Sequence, residues 1–382
     1  MSRGNRLRGV GLVVLLALTS AGVTVVLLEG LSGVALFGWE VATTPGRQQV
    51  AEALHARHDA LLGWVNIPNR HVPNMYGDGV YLHINGQGFR NDHDIPPKQP
   101  PDKRRVICSG DSFTLGYGVD NDHTWCATLE SLDPRLETVN MGQGGYGVDQ
   151  AFLWYQRDAA GIEHQIHLFA FVTTDFHRMQ SAGFVGIPKP TLSVRNGVLI
   201  VEHVPVPERP WYADSLSRLL PAVRRLRVVT LAAAIRARVA PDGAALRSET
   251  DVLTWSVVSV LFDRLQALNH ARGSTPVLVY LPTRLDHTAS TADPWRKRIA
   301  EHAAHTGFAF VDLVEDFRSV PAADVAAMFI PQGSLDYHDA GGHYTVQGNR
   351  WVSEALYRHL ASLPGLLGDV AGEYHGSRGG GG

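Results

Sequence analysis

Two residues far apart in the chain, Ser112 and His343, form the pair that could carry out chemistry. A serine hydroxyl is a poor nucleophile until a neighbouring base takes its proton, and imidazole is the base best matched to neutral pH. Ser112 lies in Gly110-Asp111-Ser112-Phe113-Thr114-Leu115-Gly116, after the apolar run Val106-Ile107-Cys108. That reads as a buried strand ending in a tight turn. A hydroxyl at the carboxyl end of a parallel strand is where open α/β sheets place reactive groups. His343 stands in Asp339-Ala340-Gly341-Gly342-His343, ahead of the last helical pattern, with Thr345 placed to cap that helix. Asp339, or failing that Asp336, is the carboxylate available to orient the ring and stabilise the imidazolium. A lone Gly-Asp-Ser is a common turn, so the weight on Ser112 comes from the strand before it and the histidine that would serve it.

The elements needed to bring these residues together follow in order. After Ser112 the pattern predicts a helix around Asp122 to Leu132, a strand near Thr138 to Met141, and a helix from about Val148 to Arg157. The turn Gly142-Gln143-Gly144-Gly145-Tyr146-Gly147 lies between the last two. A third strand, His167 to Val172, ends in Thr173-Thr174-Asp175. Later come a helix from Val252 to Ala271, a strand at Val277 to Leu281, a helix from Pro294 to His305, a strand at Phe308 to Asp312, and a helix from Val346 to Leu363. This alternation predicts an α/β fold, a three-layer α/β/α sandwich with a mostly parallel central sheet.

Around this core lie other segments. Residues Gly9 to Leu28 carry no charge and follow Arg3, Arg6 and Arg8. Twenty residues at ~1.5 Å rise span a hydrocarbon core of ~30 Å, and the arginines favour a cytoplasmic N-terminus. An uncleaved anchor is therefore expected over residues 9–28, partnered by the lipid bilayer. The rivals are a cleaved signal peptide, with only a weak cleavage candidate at Gly33 to Ala35, and a buried soluble helix. The expected organisation is a stub and transmembrane anchor over 1–39, a connector and irregular β lead-in over 40–103, the α/β/α domain over 104–365, and a disordered tail over 366–382. The connector is read as helical over 40–60, and Pro96, Pro97, Pro100 and Pro101 mark a linker before the first core strand. An insertion at about 180–250 holds a hairpin signal, Thr191 to Arg195 and Val198 to Val204 around Asn196-Gly197, then a basic helical stretch with Arg218, Arg224, Arg225, Arg227, Arg236 and Arg238. Such an insertion would cap the strand ends.

Composition bounds the rest. With 45% hydrophobic and 19% charged residues the chain is an ordinary folded protein, and a net charge of -3 gives no global case for nucleic acid as a partner. The two cysteines, Cys108 and Cys126, cannot build a metal cluster; both read as small buried apolar residues, a bridge between them requiring an oxidising compartment. Gly142-x-Gly144-x-x-Gly147 fits a dinucleotide fingerprint. However, Asp175 lies farther along than the roughly 20 residues expected of its ribose-binding acid, and that fingerprint leaves Ser112 and His343 unexplained. Thr114 rules out the Gly-x-Ser-x-Gly elbow. No Walker loop or zinc-type spacing stands out, so neither cofactor nor metal is expected.

Taken together, Gly110-Asp111-Ser112, Asn140-x-Gly142-x-x-Gly145-Tyr146-Gly147 and a late histidine followed by Gly348 resemble the SGNH (GDSL-type) hydrolases. The lead-in segments Leu62-Gly63-Trp64 and Asn85-Gly86-Gln87-Gly88-Phe89-Arg90 are similar to those of membrane-anchored, envelope-facing members. The resemblance runs from about Leu62 to Leu363. It implies Ser112 as nucleophile, His343 as base, and the N–H groups of Ser112 and Gly145 as oxyanion donors. Two departures stand out. Thr174 occupies the place of the family's oxyanion asparagine, and the usual acid position, three residues before the histidine, is Ala340, with Asp339 one residue further back. The implied function is a serine esterase or deacetylase acting outside the cytoplasmic membrane on acylated carbohydrate or another small ester. The alternatives are an O-acyltransferase of envelope polysaccharide and a non-catalytic glycan-binding protein of the same fold.

Overall fold

The structure, a computed structural model, describes residues 3–43, 54–209 and 243–367. Two compact units divide the chain, Met1–Gln48 with Pro210–Leu246 and Gln49–Arg209 with Arg247–Gly382. In the first, helix α1 (Arg3–Thr43) runs for 41 residues. Its segment Leu12–Leu36 has mean hydropathy 2.3 and none of it is buried. It is long and apolar enough to cross a membrane. The segment extends past the expected end at Leu28 and takes in Glu29.

The second unit opens with two antiparallel pairs, β1 (Ala56–Asp59) with β2 (Gly63–Asn66) and β3 (Arg70–Val72) with β4 (Leu82–Ile84). The connector expected to be helical over 40–60 therefore ends as strand, and residues 44–53 lie outside the described part. Next come β5 (Arg104–Gly110), the one-turn helix α2 (Ser112–Leu115), α3 (Trp125–Leu132), β6 (Leu136–Gly142), α4 (Val148–Asp158), β7 (Ile166–Phe171) and α5 (Thr173–Arg178). Two hairpins follow, β8 (Gly183–Phe184) with β9 (Ile187–Pro188), and β10 (Thr191–Arg195) with β11 (Val198–Glu202). At the second, Asn196 and Gly197 both take positive φ, as a tight hairpin turn requires. The basic stretch carrying Arg218, Arg224, Arg225, Arg227, Arg236 and Arg238 lies outside the described residues. The unit closes with α6 (Gly243–Ala271, from residue 247 on), β12 (Thr275–Tyr280), α7 (Asp293–Thr306), β13 (Ala309–Asp312), α8 (Leu313–Arg318), α9 (Ala322–Val325) and α10 (Val346–Ser362).

Five strands form one sheet in the order β13-β12-β7-β5-β6, every neighbouring pair parallel. Their side chains alternate between two apolar layers. Val106, Cys108, Leu168, Ala170, Val277 and Val279 pack towards α3, α8 and α10. Ile107, Phe169, Phe171, Leu278 and Tyr280 pack towards α4, α6 and α7. A sheet buried on both faces needs such continuous apolar strands, and the result is the expected α/β/α sandwich. The chain leaves β5 for β6 on one side and returns to β7 on the other. The crevice at the carboxyl ends of β5 and β7 is thus the switch point at which doubly wound sheets bind ligands.

Two expectations are corrected here. Cys108 and Cys126 are both fully buried, but they form a disulfide with a Cα–Cα distance of 6.3 Å. Cys108 points from β5 to the layer that contains α3, which brings the two thiols face to face. Leu366 and Leu367, assigned to a disordered tail, are buried in the layer beside α10. The core also holds polar groups: Ser109 Oγ lies 2.6 Å from His167 Nε2, and the His167 ring stacks on Tyr155 at 3.6 Å. The Tyr155 hydroxyl donates to Asn269 Oδ1 at 2.6 Å and lies 2.8 Å from His164 Nε2. Burial pushes His164 down to about 4 and His167 well below the ordinary histidine value.

Candidate active site

Three segments at the strand ends build the site. In the first, Asp111 caps α2, its Oδ1 accepting the Phe113 N–H at 2.9 Å. Ser112 is thereby the first helical residue, and its own N–H has no acceptor among the described residues. Position 142 must be glycine, because a Cβ there would fall 2.0 Å from the Leu115 nitrogen. The far end of α2 is held by Arg90, which is buried and donates to the carbonyls of Leu115, Gly116 and Val119 and to Asn121 Oδ1. A guanidinium at a helix C-terminus meets the negative end of the helix dipole.

The second segment is the turn from β6 into α4. Gly145 has φ +74, the left-handed region open to glycine. Its N–H also lacks an acceptor among the described residues, whereas the Gly144 N–H donates to Gln143 Oε1 at 2.8 Å. The third segment carries His343 ahead of α10, where Thr345 accepts the Gly348 N–H at 3.1 Å. Backbone bonds from Ile330 N–H to the His343 carbonyl and from Gly342 N–H to the Ile330 carbonyl, both 2.8 Å, fix that loop.

His343 Nε2 lies 2.7 Å from Ser112 Oγ. The other ring nitrogen, Nδ1, lies 3.3 Å from the Ala340 carbonyl oxygen. A carbonyl can only accept, so this contact requires the proton on Nδ1 and leaves Nε2 as the bare acceptor facing the serine. Burial pushes the His343 pKa down to about 4, with the Asp111 carboxylate pulling the other way. The ring is neutral at neutral pH. Phe113 and Tyr117 pack on it at centroid distances of 4.5 and 5.1 Å.

Asp339 is placed differently from the sequence expectation. It lies exposed in a short 3₁₀ turn, His338–Ala340, and its carboxylate makes no hydrogen bond to His343 among the described residues. The extra residue between Asp339 and the ring is absorbed by that turn, which presents the Ala340 carbonyl instead. Asp336 likewise makes no such bond. Thr174 is exposed at the second position of α5 and its hydroxyl makes no hydrogen bond among the described residues, while its neighbour Thr173 pairs with the Tyr280 hydroxyl at 2.8 Å.

Sequence reasoning passed over several residues that the fold brings here. Arg178 Nη1 donates to Asp175 Oδ1 at 2.6 Å, to the Tyr146 carbonyl at 2.9 Å and to Asp111 Oδ2 at 3.1 Å. It ties the carboxyl ends of β5, β6 and β7 together. Asp175 and Arg178, three apart, are helix-surface neighbours, and that spacing was the available signal. Burial and the nearby Asp111 raise the Asp175 pKa well above the carboxylate range. The first small hairpin is anchored by Lys189, whose Nζ meets Asp149 Oδ2 at 2.6 Å with both side chains fully buried. At its tip, Phe184 lies against Gly145, so that a Cβ on the glycine would sit 2.5 Å from the ring. Arg178 stacks on Phe184 at 5.3 Å.

No family model matches the chain, and no curated protein matches it. Solved structures do. One described as a member of the lipolytic protein G-D-S-L family from Veillonella parvula is 13% identical over 68% of this chain and 100% of its own, with a TM-score of 0.39. An acetyl xylan esterase from Geobacillus stearothermophilus is 13% identical, over 67% and 94%, with a TM-score of 0.36. An alpha/beta hydrolase enzyme from the metagenome of Lake Arreo is 14% identical, over 67% and 94%, at 0.37. Likenesses this distant leave the weight on the site's own geometry.

Proposed function

We propose that this chain is an SGNH-type serine esterase that hydrolyses acyl esters through a covalent acyl–serine. The observation that carries this is the 2.7 Å approach of Ser112 Oγ to a bare His343 Nε2, with two unclaimed N–H groups at Ser112 and Gly145. In acylation Ser112 Oγ attacks the ester carbonyl as its proton passes to His343 Nε2. The carbonyl oxygen becomes an oxyanion received by the two N–H groups. Collapse breaks the ester bond, and the leaving alcohol takes the proton from His343. Water then attacks the acyl–serine by the same route in reverse, freeing the carboxylic acid and the serine. The imidazolium is steadied by the Ala340 carbonyl and, through space, by Asp111, rather than by the Asp339 carboxylate.

The active unit faces outward from the cytoplasmic membrane, with acylated carbohydrate as substrate. Support comes from the arginines that precede an apolar helix and from a disulfide, a bond that persists in oxidising compartments. A sugar hydroxyl in place of water would make the same site an O-acyltransferase. A second reading, a glycan-binding protein without turnover, draws on the exposed Thr174 and Asp339. Labelling of the detergent-solubilised full chain with a fluorophosphonate decides between turnover and binding. The parent labels, and Ser112→Ala and His343→Ala do not. A folded parent that fails to label, with glycan binding that survives Ser112→Ala, would instead favour the binding protein.

A further inference from the structure

We propose that Trp64 is a positioning residue for the oxyanion donor Gly145; this rests on the esterase function proposed above. The indole Nε1–H of Trp64 donates to the Gly144 carbonyl at 2.9 Å, and the ring is almost entirely buried. That carbonyl and the Gly145 N–H belong to one planar peptide unit. It is trans, since the single cis bond among the described residues is Val204–Pro205. In a trans unit the C=O and N–H point in opposite directions. Holding the oxygen on Trp64 therefore aims the Gly145 hydrogen the other way, leaving it the unclaimed donor between Gly144 N–H, bound to Gln143 Oε1, and Tyr146 N–H, bound to the Gln143 carbonyl.

A turn as rich in glycine as 142–147 has little of its own to hold one orientation, so its direction must be imposed from outside. Trp64 does so. Phe184 fills the space that a Cβ on Gly145 would take and stacks on Trp64 with centroids 6.2 Å apart. Trp64 is itself fixed to the same turn, because the Tyr146 hydroxyl donates to the Trp64 carbonyl at 2.5 Å. Gln150 Nε2 donates to the Leu62 carbonyl at 2.7 Å. The closed set of contacts makes strand β2 part of the catalytic apparatus, although it lies outside the central sheet.

The test replaces the N–H and little else. Trp64→Phe keeps an aromatic ring against Phe184. Incorporation of 3-benzothienylalanine at position 64 keeps the whole indole shape with sulfur in place of N–H, which covers the case in which the phenylalanine variant does not fold. Full-length protein in detergent is assayed with p-nitrophenyl acetate, with active sites counted by fluorophosphonate titration. Losing an oxyanion donor outright costs roughly 10²–10³ in kcat, so a donor freed to wander is expected to cost about 10- to 100-fold in kcat per titrated site. KM should stay within about threefold. Affinity for a boronic acid, whose adduct carries the tetrahedral oxyanion, should fall by the same factor as kcat/KM. A merely structural tryptophan would lower the thermal midpoint or the number of active sites and leave kcat per site unchanged. That result, in an active parent, overturns the role of Trp64 alone. An inactive, unlabelled parent overturns the esterase and this role with it.

Discussion

Breaking the Cys108–Cys126 bridge should destabilise the second unit without disabling its chemistry. The bridge closes a loop of sequence separation 18. The chain-entropy expression gives about 3 kcal/mol for a loop of that size at 25 °C. At ~2.1 cal/mol/K per residue, a unit of roughly 300 residues unfolds with an entropy of about 0.6 kcal/mol/K, so the thermal midpoint should fall by about 5 °C. Reduction is a cleaner perturbation than mutation. The two thiols stay in the apolar layer where the sulfurs already are, and no cavity adds to the loss. The assay is a thermal or urea transition with and without a phosphine reductant, beside a thiol titration of the denatured chain. Without reductant the titration should find no free thiol. Activity at 25 °C should persist, because Cys108 sits in β5, upstream of the Asp111 cap that sets Ser112. Two free thiols in the unreduced chain, or an unchanged midpoint after complete reduction, would refute the reasoning.

His343 must be neutral to accept the serine proton, and its pKa is pushed down to about 4. The acid limb of kcat/KM is therefore expected near pH 4; a midpoint at the ordinary histidine value would contradict the burial argument. Stability should follow the same sign. His55 and His164, with folded values also near 4, bind protons in the unfolded chain from ~6.5 downward, so the thermal midpoint should drop as pH falls from about 6.5 towards 4. Asp339→Ala should keep kcat within about threefold, since Nδ1 bonds the Ala340 carbonyl; a loss near the ~10⁴ seen on disabling an aspartate orienter would restore Asp339 to the triad. Gly145→Ala should cost about 1–2 kcal/mol from its positive φ alone, more from the overlap with Phe184, and lower kcat by roughly 10²-fold. Calorimetry and ester hydrolysis read the two effects separately.

Much of this was legible because the local rules are strict. Strands buried on both faces must be continuously apolar, which exposed β5, β7 and β12, and a glycine-rich turn before a helix marked residues 142–147. Ser112 and His343 stood out because each preceded or followed an element with a readable cap or strand. What escaped depends on distant pairings. Trp64 and Gly144 are 80 residues apart, and nothing in either segment names the other. Asp339 was one residue out of place, and whether a loop absorbs such a residue by bulging towards the ring or by winding a 3₁₀ turn away from it is not written in residue types. The cysteines were read as apolar filler because the face on which Cys108 emerges is fixed only once β5 has its register.

The arrangement of Arg90 and Trp64 changes what counts as the inherited unit. Proline-rich residues 96–101 look like a natural seam, and a recombination event there would pass on an intact five-stranded sheet. It would also strip the carbonyls of Leu115, Gly116 and Val119 of their shared cation, and the Gly144 carbonyl of its donor. Such a descendant would keep its serine and histidine and lose the supports that aim the surrounding backbone. The segment that must travel as one block therefore reaches back at least to Trp64 and β2. Exchange of the apolar helix α1 by recombination ahead of β1 leaves every contact described at the site untouched.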